Sequence, residues 1–134
     1  MYKRQLYKLA DALMARRGSE VLDLMEESLD EGEAPLRILA TLHRVVRQLR
    51  GARALREARV PRDQVASRLQ VPPFKVQDIL AAERRWPETG LTIALEALGE
   101  ADRRVKTGGD PRVALTAAVV TACGGGATSS RPGR

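Results

Sequence analysis

Apolar residues along this chain return every three or four positions, the spacing that lines one face of an α-helix. Leu6, Leu9, Ala10, Leu13 and Met14 mark a first helix, and Gly18 reads as its C-terminal stop. Ser19 then reads as the N-cap of a second helix, because its hydroxyl can accept from an orphan backbone N–H. Val21, Leu22, Leu24, Met25 and Leu29 form that helix's apolar side, and Gly32 ends it. Pro35 suits the first turn of a third helix, where a missing N–H costs nothing. The stripe Ile38, Leu42, Val45, Leu49 and Ala52 alternates steps of four and three, a long packing seam. Gly51 weakens the seam by about 1 kcal/mol relative to Ala and permits a bend.

Val60-Pro61 breaks the pattern, since a residue before proline avoids the helical region. Val65, Ala66 and Leu69 give a short fourth helix, and Val71-Pro72-Pro73 a rigid turn. Phe74, Val76, Ile79, Leu80 and Ala82 give a fifth helix, ending near Trp86-Pro87. Leu91, Ala94, Leu95, Leu98 and Val105 mark a sixth, stopped by Gly108-Gly109. Asp110-Pro111 combines an acceptor cap with proline at the first helical position. Val113, Leu115, Val119 and Val120 continue the seventh helix. No segment shows strict apolar alternation with hairpin turns, so the fold class is all-α, a single bundle of about seven helices. The organisation that follows is a junction segment over 1–5, which fits no helix and whose abrupt start points to a natural chain beginning earlier. A helical domain over 6–122 comes next, then a disordered Gly/Ser/Thr-rich tail over 123–134.

Composition narrows the function. Aromatic residues are 3 % of the 134, so the core is built from Leu, Val, Ile and Ala, which favours helices. One Cys excludes a disulfide framework and a cysteine zinc site, and one His excludes a His-pair metal centre. No apolar run reaches membrane-spanning length and no signal peptide opens the chain, so it reads as cytoplasmic, without a membrane partner. Net charge is +6, but residues 6–122 hold 19 basic and 17 acidic residues, so the excess belongs mostly to the ends. Inside the body, acids crowd residues 20–33 and eight arginines crowd residues 37–62. Packed antiparallel, these two helices would set their charges side by side.

Catalytic chemistry finds little footing. Gly124-Gly125-Gly126 has no lysine after it and reads as a linker, not a phosphate loop. His43 stands without a second ligand, Cys123 sits at the end of the last helix, and the carboxylate pairs Glu26–Glu27 and Asp30–Glu31 read as a solvated face. No catalytic, cofactor-binding or metal residues are assigned, no cofactor is expected, and the chain reads as not an enzyme.

Two constellations remain. Arg44, Arg47, Arg50, Arg53, Arg56 and Arg59 recur every three residues. Each step lags a helical turn by about 60°, so the series spirals and cannot be one flat phosphate-binding stripe. Arg44 and Arg47 point away from the seam, whereas Arg53 and Arg56 drift onto it. Either that half of the helix meets another chain, where arginine is favoured, or its long stems cover apolar surface in solvent. Residues 61–86 form a helix, a tight turn and a second helix, as in a helix-turn-helix unit. As a stand-alone DNA-binding regulator it would offer only Lys75 and Gln77 to base edges. As a structural corner, its double proline and Phe74 serve packing.

The runs Leu42-His43-Arg44-Val45-Val46-Arg47-Gln48-Leu49, Val65-Ala66-Ser67-Arg68-Leu69 and Val71-Pro72-Pro73-Phe74-Lys75-Val76 resemble the C-terminal domain of the delta subunit of the bacterial DNA polymerase III clamp loader. Asp11-Ala12-Leu13, Glu31-Gly32-Glu33-Ala34-Pro35, Glu100-Ala101-Asp102, Lys106-Thr107-Gly108 and Asp110-Pro111 add to it, so the resemblance spans about 6–122. It implies a helical collar domain, truncated at its N-terminus, that joins the other clamp-loader subunits during DNA replication. The family's ATPase-like and lid domains are not seen here. The sliding clamp and primed DNA would be met only through that missing region. The delta subunit is not the ATP-hydrolysing member, in keeping with the missing phosphate loop. The third helix is more basic than the family pattern requires. On this resemblance Arg53, Arg56 and Trp86 are expected at the subunit interface.

Overall fold

The computed structural model describes residues 2–124. Among them are seven α-helices and no strand: α1 Tyr2–Met14, α2 Gly18–Asp30, α3 Pro35–Glu57, α4 Arg62–Leu69, α5 Val76–Glu83, α6 Glu88–Lys106 and α7 Pro111–Val119. A 3-10 turn, Pro73–Lys75, leads into α5, and a π-helical turn, Val120–Gly124, extends α7. No helix is long and apolar enough to cross a membrane.

The seam of α3 organises the bundle. Ile38, Leu42, Val45, Leu49 and Ala52 are all buried. The first four enter the main core with Leu9, Leu13, Val21, Met25, Leu91, Leu98 and Leu115. Ala52 enters a second, smaller cluster with Val65, Val71, Val76 and Ile79. Thus α3 spans both cores, with α1 and α6 on one stretch and α4 and α5 on the other. Gly51 bends nothing: α3 runs through it unbroken. A Cβ there would lie 2.8 Å from Leu69 Cδ2, so the glycine lets α4 approach α3 closely.

The helix stops differ from the sequence expectation in an instructive way. Gly18 does not end α1 but opens α2, and Ser19 lies inside the first turn of α2 with no capping bond. The chain reverses two residues earlier, at Arg16 with φ 63°. Arg16 N–H donates to the Leu13 carbonyl at 2.8 Å and Arg17 N–H to Ala12 at 2.9 Å, the paired bonds of a Schellman stop. Arg59 and Gln70 close α3 and α4 in the same left-handed way. Gly18 is needed for a close approach instead, since its Cβ would sit 3.0 Å from Cys123 Cβ.

Other expectations are corrected here. Tyr2–Gln5 belong to α1 rather than lying outside the helices. Phe74 is not in the core of α5; it stands 78 % exposed in the turn before it. Val113 and Val120 are exposed on the last helix. Cys123 does not lie in a loose tail but is buried, and desolvation pushes its thiol up to about 11. The remainder of the expected tail, 125–134, lies outside the described residues. The acids of α2 do not serve α3 either. Glu26 and Asp30 turn to Arg112 of α7, with Arg112 Nη2 to Asp30 Oδ1 at 3.0 Å, and Glu27 accepts from Gln5 at 3.1 Å. At the start of α7 the expected cap forms: Asp110 Oδ1 accepts from Val113 N–H at 3.1 Å.

Candidate protein-interaction surface

The arginine spiral of α3 divides into an internal half and an external half. Arg53 and Arg56 reach across to Glu83, the last residue of α5, whose side chain is fully buried. Arg56 holds both Glu83 oxygens through Nε and, at 3.4 Å, through Nη2. The Glu83 carboxylate pushes the Arg56 guanidinium above its already high ordinary range. Arg53 Nη1 lies 3.8 Å from Glu83 and donates to the Trp86 carbonyl at 3.1 Å. A buried carboxylate stripped of its cations is costly, while the intact pair is near break-even against apolar packing. The cluster therefore fixes one geometry for the α3–α5 corner more than it adds stability.

Trp86 completes that corner. Its side chain is 0 % exposed, its indole N–H donates to the Met14 carbonyl at 3.2 Å, and the Arg16 guanidinium covers its ring at 4.8 Å. Arg16 in turn donates to the Arg85 carbonyl at 3.4 Å. Trp86 thus ties the end of α1 to the α5–α6 connection through its indole, and α3 to the same point through its backbone carbonyl. Trp86, Arg53 and Arg56 meet at this corner, with Trp86 as its keystone. Within this chain the Trp86 side chain is fully covered, so the surface at this corner is offered by its neighbours instead.

The external half is different. Arg44, Arg47 and Arg50 are exposed and make no ion pair among the described residues. Arg44 and Arg47 flank an open groove of about 700 Å³ between α3, α4 and α6, floored by Leu36, Leu39, Ala40 and Leu69. Lys106, paired with Asp102 at 3.0 Å, forms the far wall. His43 lines the same groove, its half-buried ring turned toward the Leu98 backbone of α6. Burial first, then Arg47, hold this imidazole below its ordinary range, against the opposing pull of Asp102. The groove joins positions up to 70 residues apart, so no local sequence pattern announces it. Only Leu36, apolar but off the seam and 42 % exposed, hints at it.

Lys75 and Gln77 do not form a reading head. Two positions apart on a helical turn, side chains diverge by about 200°. Lys75 accordingly lines a depression with Tyr7 and Phe74, its ammonium 5.8 Å from the Tyr7 ring, while Gln77 lines another with Arg62 and Arg84. Among the described residues, no group of three or more His, Cys, Asp or Glu could hold a metal ion.

The family model for the DNA polymerase III delta subunit, C-terminal domain, matches residues 3–122. The chain belongs to this family. Over 106 residues, 79 % of its length, it is 26 % identical to the DNA polymerase III subunit delta of Bacillus subtilis (strain 168), 30 % of which is covered. Its fold is similar to that of the Bacillus subtilis DNA clamp loader delta protein, with a TM-score of 0.77, 24 % identity, and coverage of 92 % of this chain and 37 % of the other. The delta-subunit domain thus spans about a third of the length of the relatives it matches.

Proposed function

We propose that this chain is the collar of a cytoplasmic clamp loader's delta subunit: an assembly domain that holds the subunit among its neighbours while the loader opens and loads the sliding clamp during DNA replication. The observation that carries the reading is the family match across residues 3–122. The physical design supports it. A seam running through two cores, closed by the Trp86 and Glu83 corner, makes a single packed frame whose flanks are free to meet other chains. The exposed arginines of α3 supply a side chain type favoured at protein interfaces. The domain's work is to bind, and no catalytic step is assigned to it. Contacts with the sliding clamp and primed DNA fall to the remainder of a full-length delta subunit.

Deletion of residues 6–122 from a full-length delta subunit tests the reading. The truncated subunit should no longer co-elute with the other loader subunits in gel filtration. Full retention in the complex would refute the assembly role.

A further inference from the structure

We propose that the groove between α3 and α6 seats an acidic amphipathic helix from a neighbouring subunit of the loader. The source of the helix rests on the collar reading; the chemistry of the occupant rests on the groove itself.

Three observations converge on that chemistry. First, the charge is unspent. Arg53 and Arg56 are consumed by Glu83, Arg37 by Glu33, Arg103 and Arg104 by Glu100, and Arg112 by Glu26 and Asp30. Arg44 and Arg47, three positions apart on one wall of the groove, have no acidic partner among the described residues. Second, the floor is apolar. Leu36, Leu39, Ala40 and Leu69 lie along it, and Leu36 is left 42 % exposed. A partner must therefore bring apolar anchors together with carboxylates, spaced so that both reach the groove at once. An amphipathic helix does this with residues three and four apart. Third, the space suits such a rod: about 700 Å³, open along one side.

A nucleic acid fits less well. No Phe, Tyr or Trp lines this groove, so bases find no broad stacking platform.

The test uses a full-length delta subunit in the reconstituted loader, with a photoreactive benzophenone side chain in place of Ala40 or Gln48, and of Asp23 on α2 as a control. Irradiation should join the groove positions to one helical segment of one partner subunit, with carboxylates on one face and apolar residues on the other. Cross-links to DNA, to a segment without acids, or to nothing would overturn the assignment. Arg44→Glu with Arg47→Glu should then weaken assembly by about tenfold at physiological salt. Arg44→Lys with Arg47→Lys should leave it nearly intact. Changing two acids of the cross-linked segment to lysine should restore the Glu variant. Circular dichroism checks that these exposed replacements leave the bundle folded. If the unaltered subunit fails to assemble through this domain, the collar reading itself falls. If it assembles while the groove stays bare and the charge reversal is harmless, only the groove assignment falls.

Discussion

Replacing Trp86 by phenylalanine separates a keystone from an interface residue. The ring is fully buried, so the smaller side chain leaves a void of about 40 Å³, worth about 1 kcal/mol at the cavity coefficient. The indole hydrogen bond to Met14 is lost, leaving a buried carbonyl unpaired, for about another 1 kcal/mol. Arg16 keeps a ring beneath it, but a phenyl attracts a cation less than an indole does, which removes about 0.5 kcal/mol. The sum is about 2–3 kcal/mol, and Trp86→Ala should reach about 3–5 kcal/mol. Urea unfolding of the isolated chain, followed by circular dichroism because the only tryptophan is gone, measures it. A lower midpoint at unchanged slope is the expected result. Unchanged stability, with impaired joining to partner subunits, would refute the keystone reasoning and return Trp86 to an interface.

Gln70 adopts φ 59° at an exposed position, so Gln70→Gly should stabilise the chain by about 0.5–1 kcal/mol, seen as a higher urea midpoint. Asp110→Ala removes the side-chain cap of α7 and should cost about 1 kcal/mol, with faster amide exchange at Val113 as its local signature. His43 gives a pH signature. Its imidazole is held below 6.5 in the folded chain, so as pH falls through 6.5 the unfolded chain takes up the proton first and stability drops. The loss ends once the folded imidazole also protonates, and above 6.5 the group contributes nothing. His43→Gln should flatten that stretch of the stability profile; an unchanged profile would show that the burial argument is mistaken.

The helices were legible because apolar spacing is a local property. The α3 seam and the Asp110-Pro111 start could be read residue by residue, and the ordered motifs sufficed to name the family. What escaped reading depends on contacts made far along the chain. Glycine takes the left-handed stops at Gly32 and Gly108, where the sequence pointed to them, but Arg16 takes that role in place of Gly18, and Arg59 and Gln70 take it after α3 and α4. Arg16 tolerates that conformation where its side chain covers Trp86, a contact 70 residues away. The same distance hides the fate of the arginine spiral. Spacing showed that Arg53 and Arg56 leave the exposed face, but not that Glu83 awaits them inside the same chain. The acidic run 20–33 beside basic α3 suggested a pairing of the two; Glu33 does meet Arg37, but Glu26 and Asp30 turn to α7 and Arg53 and Arg56 to α5. The groove needs α3, α4 and α6 in place before it exists at all.

The central claim, that this domain binds its sister subunits rather than nucleic acid, is tested most directly by competition. The remaining loader subunits are mixed with full-length delta and rising amounts of this chain, and the masses of the assemblies are read by mass photometry. The account predicts that the chain displaces full-length delta, while the chain alone binds duplex DNA feebly at physiological salt. No displacement, together with tight and steeply salt-dependent capture of duplex by the chain, would contradict it.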